Sequence, residues 1–335
     1  MRAKYQIVIL GCGAIFNRHV AAIKANSEYF NLCGIYDLDL EKSQQYANEL
    51  GVVAYLSLDD VYIDPNINCI IVLTPSYLHY TQTVQAINHN KHVIIEKPAT
   101  FLTTEIKEIE ALALVKKVDV FCILQVRLNK AVQLMKLVLE KNLLGNIRGA
   151  SLLQRWQRPV SYFSGWRGEY CTSGGILREF AIHYLDIVQY LLGVPIVNSA
   201  QFYNTKFQHT DVSDSIYALC DFGSYGASIE VTVAAEPHNL ECSLSIMGSN
   251  GYIKLSGKSL DHISDVKFLD DKHLNEFTTL QQNVYSHAIT NQVSMGACPH
   301  HPELYRLIIE KPNLFAISQT YNVISLIENI YKFEN

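Results

Sequence analysis

The stretch YQIVILGCGAIFNRHVAAIKAN, residues 5–26, decides the fold. A nearly continuous apolar strand, YQIVIL, runs into Gly11 and Gly13 and then into an amphipathic segment with helical spacing. Glycines where a strand turns into a helix let backbone N–H groups approach an anion at the positive helix N-terminus. The third position of the G-x-G-x-x-G pattern is Phe16, so the fingerprint is incomplete, and a turn that serves structure alone is the competing reading.

Working outward, the pattern repeats. FNLCGIYD, NCIIVLTP, KHVIIEKP and VDVFCILQ read as strands, and DLEKSQQYANELG, YLHYTQTVQAINHN and TTEIKEIEALALVKK as the helices between them, with Gly51 closing the first of these. Alternating helices with apolar, unalternated strands predict a parallel sheet covered on both faces, a doubly wound α/β domain over residues 1–124. After about residue 125 the texture changes. The helices NKAVQLMKLVLEKNLLG and LREFAIHYLDIVQYLLG are followed by VNSAQFYNTKF, DSIYALCDF, ASIEVTVAAE, ECSLSIMGS and GYIKLS, consecutive strand-like runs separated by turn residues. These predict a second, α+β domain over 125–335 with a mainly antiparallel sheet.

Composition narrows the function. The chain of 335 residues is 49% apolar and 18% charged, as expected of a folded protein with about two cores. A net charge of −5 without a long basic run offers no footprint for nucleic acid or a lipid surface, which leaves a small molecule as partner. Eight scattered cysteines without a CxxC pair fit reduced thiols, and neither a signal peptide nor a membrane span is legible, so a cytoplasmic protein is expected.

Asp37 closes the second strand 21 residues beyond Phe16, close to the spacing of the acid that accepts the adenosine ribose 2′-hydroxyl of a dinucleotide. A 2′-phosphate would meet that carboxylate with like charge and no arginine follows at once, which favours NAD over NADP. The alternative, that Asp37 only caps the next helix, is weakened by Asp39, a better-placed cap.

Two further constellations carry chemistry. In HVIIEKPAT, residues 92–100, Glu96 and Lys97 follow a buried strand and point to opposite faces, while Pro98 holds Lys97 extended and admits a cis bond. An ammonium at the carboxyl edge of a parallel sheet can bind a substrate hydroxyl and share in moving its proton; a solvated strand-end lysine is the plain alternative. In SGGILREFAIHYLDIVQYLLGVP, a helix starting after Gly174 and Gly175 puts Glu179, His183, Asp186 and Tyr190 within an arc of about 60° at about 100° per residue, among apolar neighbours. That stripe must line a cavity or form a mutual network. His183 is the natural proton acceptor, against a purely structural histidine or a metal ligand.

The G-x-G turn, EKP and GG…E…H..D together resemble the glucose-fructose oxidoreductase, inositol dehydrogenase and MocA family over essentially the whole chain. The resemblance implies a Rossmann domain followed by an α+β domain with an open-faced sheet, with NAD as cofactor and Lys97 and His183 acting on the substrate hydroxyl. It further implies cofactor contacts from Gly11, Gly13, Ile15, Phe16, Asp37, Thr74, Pro75, His79, Glu96, Lys97 and Gln125. The family's usual aspartate four residues before the histidine is Glu179 here. TPSYLHY, CILQVRLNKAVQLMK and WRGEYCTSGGILREFAIHYLD are similar to stretches in UDP-N-acetylglucosamine(uronate) 3-dehydrogenases of bacterial surface-polysaccharide synthesis. That finer resemblance implies a nucleotide-sugar substrate contacted by Lys97, Arg127, Arg155, Trp166, Arg167, Glu179 and His183, and a homodimer or homotetramer. Arg158 belongs to the same run of arginines, a residue type suited to phosphate or carboxylate.

The alternatives are a free-sugar or inositol dehydrogenase and, from another class, a dinucleotide-sensing protein with a degenerate site, suggested by Phe16 and Glu179. GACPHHPEL, residues 296–304, gathers Cys298, His300 and His301, but one loop supplies too few spaced ligands, and no metal is expected.

Overall fold

A computed structural model describes residues 4–286 and 299–334. The chain divides into two compact units, the first comprising residues 1–124 and 300–321, the second 125–299 and 322–335. The return of 300–321 to the first unit differs from the expected assignment of all of 125–335 to the second. Its sequence carries a helical apolar pattern that fits either unit, and only the packing decides.

The first unit contains β1 (Tyr5–Leu10), α1 (Phe16–Ala25), β2 (Phe30–Tyr36), α2 (Leu40–Leu50), β3 (Val53–Ala54), α3 (Leu58–Ile63), β4 (Cys69–Val72), α4 (His79–Asn88), β5 (His92–Ile95), α5 (Thr103–Lys116) and β6 (Val120–Cys122). The six strands form one parallel sheet in the order β3-β2-β1-β4-β5-β6. Ile7, Val8, Ile9 and Leu10 of β1 and Ile70, Ile71 and Val72 of β4 are fully buried, because helices cover both faces. The order reverses between β1 and β4, and ligands of such sheets collect at the carboxyl ends of the strands beside that switch point. Local signals behave as read. The Asp39 side chain caps α2 by accepting from the Lys42 N–H at 3.1 Å, and Gly51 ends it in the left-handed region at φ +67°.

The second unit holds α6 (Lys130–Glu140), β7 (Ile147–Arg155), α7 (Tyr170–Ser173), α8 (Ile182–Leu192), β8 (Ile196–Tyr203), β9 (Ser215–Asp221), β10 (Gly226–Thr232), β11 (Glu241–Gly248), β12 (Gly251–Ser256), β13 (His262–Phe268) and α9 (Asp271–Ser286). Its sheet runs β13-β12-β11-β7-β10-β9-β8, antiparallel throughout except for the parallel pair β7/β10. Strand alternation leaves one face of the sheet open. In β9, Ile216, Ala218 and Cys220 are buried while Tyr217 and Leu219 are exposed. The remaining helices are α10 (His301–Glu310), in the first unit, and α11 (Tyr321–Tyr331).

Among the described residues no helix is long and apolar enough to cross a membrane, and seven cysteines are free thiols. Cys298 lies outside the described residues.

Candidate active site

In the first unit, three segments meet at the carboxyl ends of β1, β4 and β5. Gly11 adopts φ +96°, and a Cβ there would lie 2.9 Å from the Leu73 backbone carbonyl group. Packing against the end of β4 therefore explains Gly11. It does not explain Gly13, where an added Cβ would meet nothing within 4 Å. The space over Gly13, at the start of α1, is of the kind a pyrophosphate needs for close backbone approach. Asp37 lies beside this turn. Its Oδ2 accepts the Cys12 N–H at 2.6 Å and its Oδ1 the Asp39 N–H at 2.9 Å, so the acid is tied to the glycine loop at the end of β2. Burial, with the Asp37 charge next to it, pushes the Cys12 thiol up to about 12, which keeps it neutral and unreactive.

Several residues expected to contact the cofactor have their side chains engaged within the protein. The Phe16 ring is buried and packs on Tyr46 at 4.8 Å, so only its backbone remains at the helix start, next to Ile15 at the N-cap. A large ring replaces the third glycine because α1 here packs through an aromatic pair rather than by close backbone approach. His79 is also buried, with Nδ1 2.7 Å from the Pro98 carbonyl and Nε2 2.8 Å from that of Thr74. Its ring joins the ends of β4 and β5 from behind; burial lowers its pKa against the pull of those two carbonyls. The Thr74 hydroxyl donates to Gln82 Oε1 at 2.6 Å, and Pro75 leads into the turn before α4. Thr74 and His79 are thus cross-braces of the sheet edge.

The EKP segment separates its charges as alternation requires. Glu96 is buried, with Oε1 3.0 Å from His19 Nε2 and Oε2 accepting the Lys97 N–H at 3.1 Å. Burial works to raise the Glu96 carboxyl, but its contacts with His19 and His301 outweigh that and hold it well below the usual carboxylate range. The carboxylate thus faces the interior of the unit, away from the role of a direct cofactor ligand. Lys97 is half-buried, and the Lys97–Pro98 peptide is cis.

In the second unit the predicted helix is not regular. Residues Leu177–Ala181 form a π-helical turn that passes into α8 at Ile182. A π turn holds more residues per turn than an α-helix, so the even rotation used to align the polar stripe fails between Glu179 and His183 and holds from His183 onward. Residue types in LREFA carry no signal for it. Such turns recur at functional sites, and this one delivers the half-buried His183 to the first turn of α8.

The stripe resolves into separate partnerships. Glu179 Oε1 accepts from the Tyr162 hydroxyl at 3.1 Å and lies 3.4 Å from Arg167 Nε. Arg167 stacks on the rings of Trp166 and Tyr162, at 4.4 and 4.9 Å. Burial and the neighbouring Glu179 charge push the Tyr162 hydroxyl up to about 12, so it remains a donor. Asp186 instead takes a fork from Arg127, Nε to Oδ2 at 2.7 Å and Nη2 to Oδ1 at 2.5 Å, with Gln189 adding a 2.9 Å bond. Tyr190 lies under the Arg127 guanidinium at 4.8 Å and the Lys136 ammonium at 4.0 Å.

The arginines expected to meet substrate therefore divide. Arg127 is buried in its pair with Asp186 and braces α8 from within. Arg155 forms a fork with Glu230, at 2.5 and 2.6 Å, and reaches Glu241 at 3.4 Å, so the two strands that flank its own compensate its charge. Neither guanidinium is left for a phosphate. Arg158 differs: it is held by the faces of Trp156 and Phe180, at 4.6 and 4.9 Å, and donates to the Gln157 carbonyl at 2.7 Å. Burial lowers its pKa, the mark of a cation in a partly dry aromatic setting. Buried Gln125 keeps an Oε1 with no hydrogen-bond partner among the described residues, an acceptor that a ligand's N–H would satisfy. Tyr162 and Gln82 went unread in the sequence, since nothing in their spacing links them to Glu179 or Thr74.

With this geometry in place, comparison with known proteins is informative. Residues 5–124 match the model of the oxidoreductase family with an NAD-binding Rossmann fold, and residues 132–254 match the GFO/IDH/MocA C-terminal domain. The chain belongs to the GFO/IDH/MocA oxidoreductase family. Its first unit is the NAD-binding domain, and the Gly13 space and Asp37 fit that cofactor. The WlbA dehydrogenase of Bordetella pertussis, solved with NADH and UDP-GlcNAcA, is similar at TM-score 0.86 and 25% identity over 99% of this chain and 96% of that one. A levoglucosan dehydrogenase solved with NADH and levoglucosan shares the fold at TM-score 0.80 and 19% identity, covering 99% and 97% of the two chains. The scyllo-inositol 2-dehydrogenase (NAD(+)) of Bacillus subtilis is 25% identical over 79% of this chain and 77% of its own length. With the first curated relatives, such as an uncharacterized oxidoreductase of Synechocystis at 28% identity, the match spans about half of their length, 51% in that case.

Proposed function

We propose that the protein is an NAD-dependent dehydrogenase of a sugar hydroxyl and that its substrate is a UDP-N-acetylhexosamine or the corresponding uronate, oxidised at carbon 3 for bacterial surface-polysaccharide synthesis. The observation that carries this reading is the whole-length likeness to the Bordetella WlbA dehydrogenase and its UDP-GlcNAcA complex. Arg158 in its aromatic cradle and Arg167 beside Glu179 support it, because guanidinium groups held near aromatic rings suit phosphate or carboxylate.

In this reading Lys97 holds and polarises the hydroxyl oxygen, and His183 takes its proton as general base. NAD, when bound, supplies the hydride acceptor. The Gly11–Gly13 turn and Asp37 orient the dinucleotide, and the remaining task of the protein is alignment. Nucleotide contacts remote from carbon 3 add binding energy that fixes the sugar, so free sugars are poor substrates. The test is NADH formation with UDP-GlcNAcA, UDP-GlcNAc, glucose and inositol, with mass spectrometry for a 3-keto product. Turnover confined to the nucleotide sugars supports the assignment. Efficient turnover of inositol alone would favour the second reading, a polyol dehydrogenase, for which the inositol 2-dehydrogenase relative speaks.

We also propose that the open face of the second sheet, where Tyr203 and Tyr217 stand exposed, meets a second copy of the chain in a dimer or tetramer. Light scattering on the purified protein tests this, and a monomer at all concentrations overturns it.

A further inference from the structure

Beneath the EKP turn, the first unit buries a cluster that has no task in the proposed hydroxyl chemistry. His19 from α1, Glu96 after β5 and His301 at the start of α10 come from three distant parts of the sequence and are 0%, 8% and 1% exposed. His19 Nε2 is 3.0 Å and His301 Nε2 3.6 Å from the same carboxylate oxygen, Oε1 of Glu96. One ligand atom from each of the three lies within 4.8 Å of the others. Neither ring nitrogen of His301 has a hydrogen-bond partner among the described residues. Leaving a buried polar group unsatisfied costs stability, so a side chain in this state calls for a ligand.

The arrangement has the dimensions of a metal site. In a tetrahedral zinc site with bonds of 2.0–2.1 Å, ligand atoms stand about 3.3 Å apart. The two separations from Glu96 Oε1, 3.0 and 3.6 Å, fall on either side of that value, and the histidine nitrogens, within 4.8 Å of one another, would close on the ion. The remaining contacts are those a ligand set needs. Tyr305 places its hydroxyl 2.7 Å from His19 Nδ1, so with an ion in place of the proton on Nε2 that hydroxyl would accept the Nδ1–H. Glu96 uses Oε2 for the Lys97 N–H, which leaves Oε1 for the metal. His300, the neighbour of His301, instead faces Glu303 at 3.4 Å. The sequence suggested only the loop holding His300 and His301; the fold supplies the missing ligands from α1 and the EKP turn.

We propose that His19, Glu96 and His301 bind a zinc ion, with water in the fourth position. Two imidazoles and one carboxylate suit a borderline ion, whereas calcium and magnesium require shells of oxygen ligands. The ion joins α1, which follows the glycine turn, to the segment carrying Lys97 and to α10, and it stabilises the first unit. The site is independent of the substrate assignment.

The test uses the full chain without an affinity tag, equilibrated with zinc and then freed of loose metal. Elemental analysis is expected to find one zinc per chain, and cobalt replacement to give the intense visible bands of a four-coordinate site. Removal of zinc by a strong chelator should lower the melting temperature, and zinc returned at about a hundredfold excess over its dissociation constant should raise it by about 5 °C or more. His301→Ala should abolish zinc uptake and the cobalt bands, and His301→Cys should restore both. Should His301→Ala fail to fold, the chelator and zinc cycle on the wild type decides. Zinc below a tenth of an equivalent in the wild type, or undiminished uptake by folded His301→Ala, would overturn the proposal.

Discussion

Asp186→Asn is expected to be among the most damaging nearly isosteric changes in the second unit. Asp186 and Arg127 are 1% and 6% exposed, and the pair is held by two short, parallel bonds of 2.7 and 2.5 Å. The substitution keeps the shape and removes the charge, so the buried guanidinium loses the carboxylate onto which it forks. Breaking such a pair from one side costs about 3–5 kcal/mol. For a unit of this size each kcal/mol moves the melting temperature by about 2–4 °C, so a fall of about 6–20 °C is expected. Because Asp186 lies three residues after His183 on α8, turnover should fall with stability as the helix loosens. The double variant Arg127→Met/Asp186→Leu removes both desolvated charges and should recover most of the loss, less the cation–π contact of Arg127 with Tyr190 at 4.8 Å. Calorimetry on wild type, single and double variants decides the matter. A loss below about 1 kcal/mol for Asp186→Asn, or a double variant as unstable as the single, would refute the argument that burial of an uncompensated charge dominates.

Other outcomes follow from the same geometry. Gly11→Ala should impair folding, because its Cβ would meet the Leu73 backbone at 2.9 Å with φ at +96°, whereas Gly13→Ala should fold normally and weaken NADH binding; calorimetric titration separates the two. Wild-type protein should prefer NAD to NADP, and Asp37→Ala should weaken NAD by about ten- to a hundredfold through loss of a charged hydrogen-bond acceptor, narrowing the gap; a wild type that binds NADP as well as NAD contradicts the assignment. His183→Asn should bind NADH and lose about a hundred- to ten-thousandfold in turnover, and Lys97→Met should also lose turnover; full activity in either variant removes its assigned role.

The first unit was legible because its signals are local. The unalternated apolar runs of β1, β4 and β5 required burial on both faces, Asp39 and Gly51 marked the ends of α2, and the glycine turn marked the switch point. Less legible were features set by tertiary contact. Segment 300–321 belongs to the first unit through packing such as the edge contact of Tyr305 with Phe30 at 5.2 Å, which no spacing announces. Thr74, just after β4, and His79, at the start of α4, were expected beside the cofactor; the direction of their side chains, which brace the sheet edge, is set by tertiary contact and not by sequence position. The four arginines show how weak residue type is as a guide. Arg127 found Asp186 of α8 and Arg155 found Glu230 and Glu241 of the flanking strands, while Arg158 found the faces of Trp156 and Phe180, and Arg167 found Glu179 and the Trp166 ring.

Glu179 stands where the resemblance read from the sequence leads one to expect aspartate, and the π turn gives that difference a physical setting. A carboxylate at this position has to serve a helix whose rotation is shifted over Leu177–Ala181. The extra methylene of glutamate carries the charge to Tyr162 and to the guanidinium of Arg167, which is itself sandwiched against Trp166. An aspartate would shorten that reach by about 1.5 Å, enough to break a 3.1 Å hydrogen bond. The longer acid thus ties the 160–168 segment to the turn that precedes His183. Shortening it should release Arg167 and disorder WRG before it alters the histidine's own helix, so substrate affinity should suffer more than dinucleotide affinity.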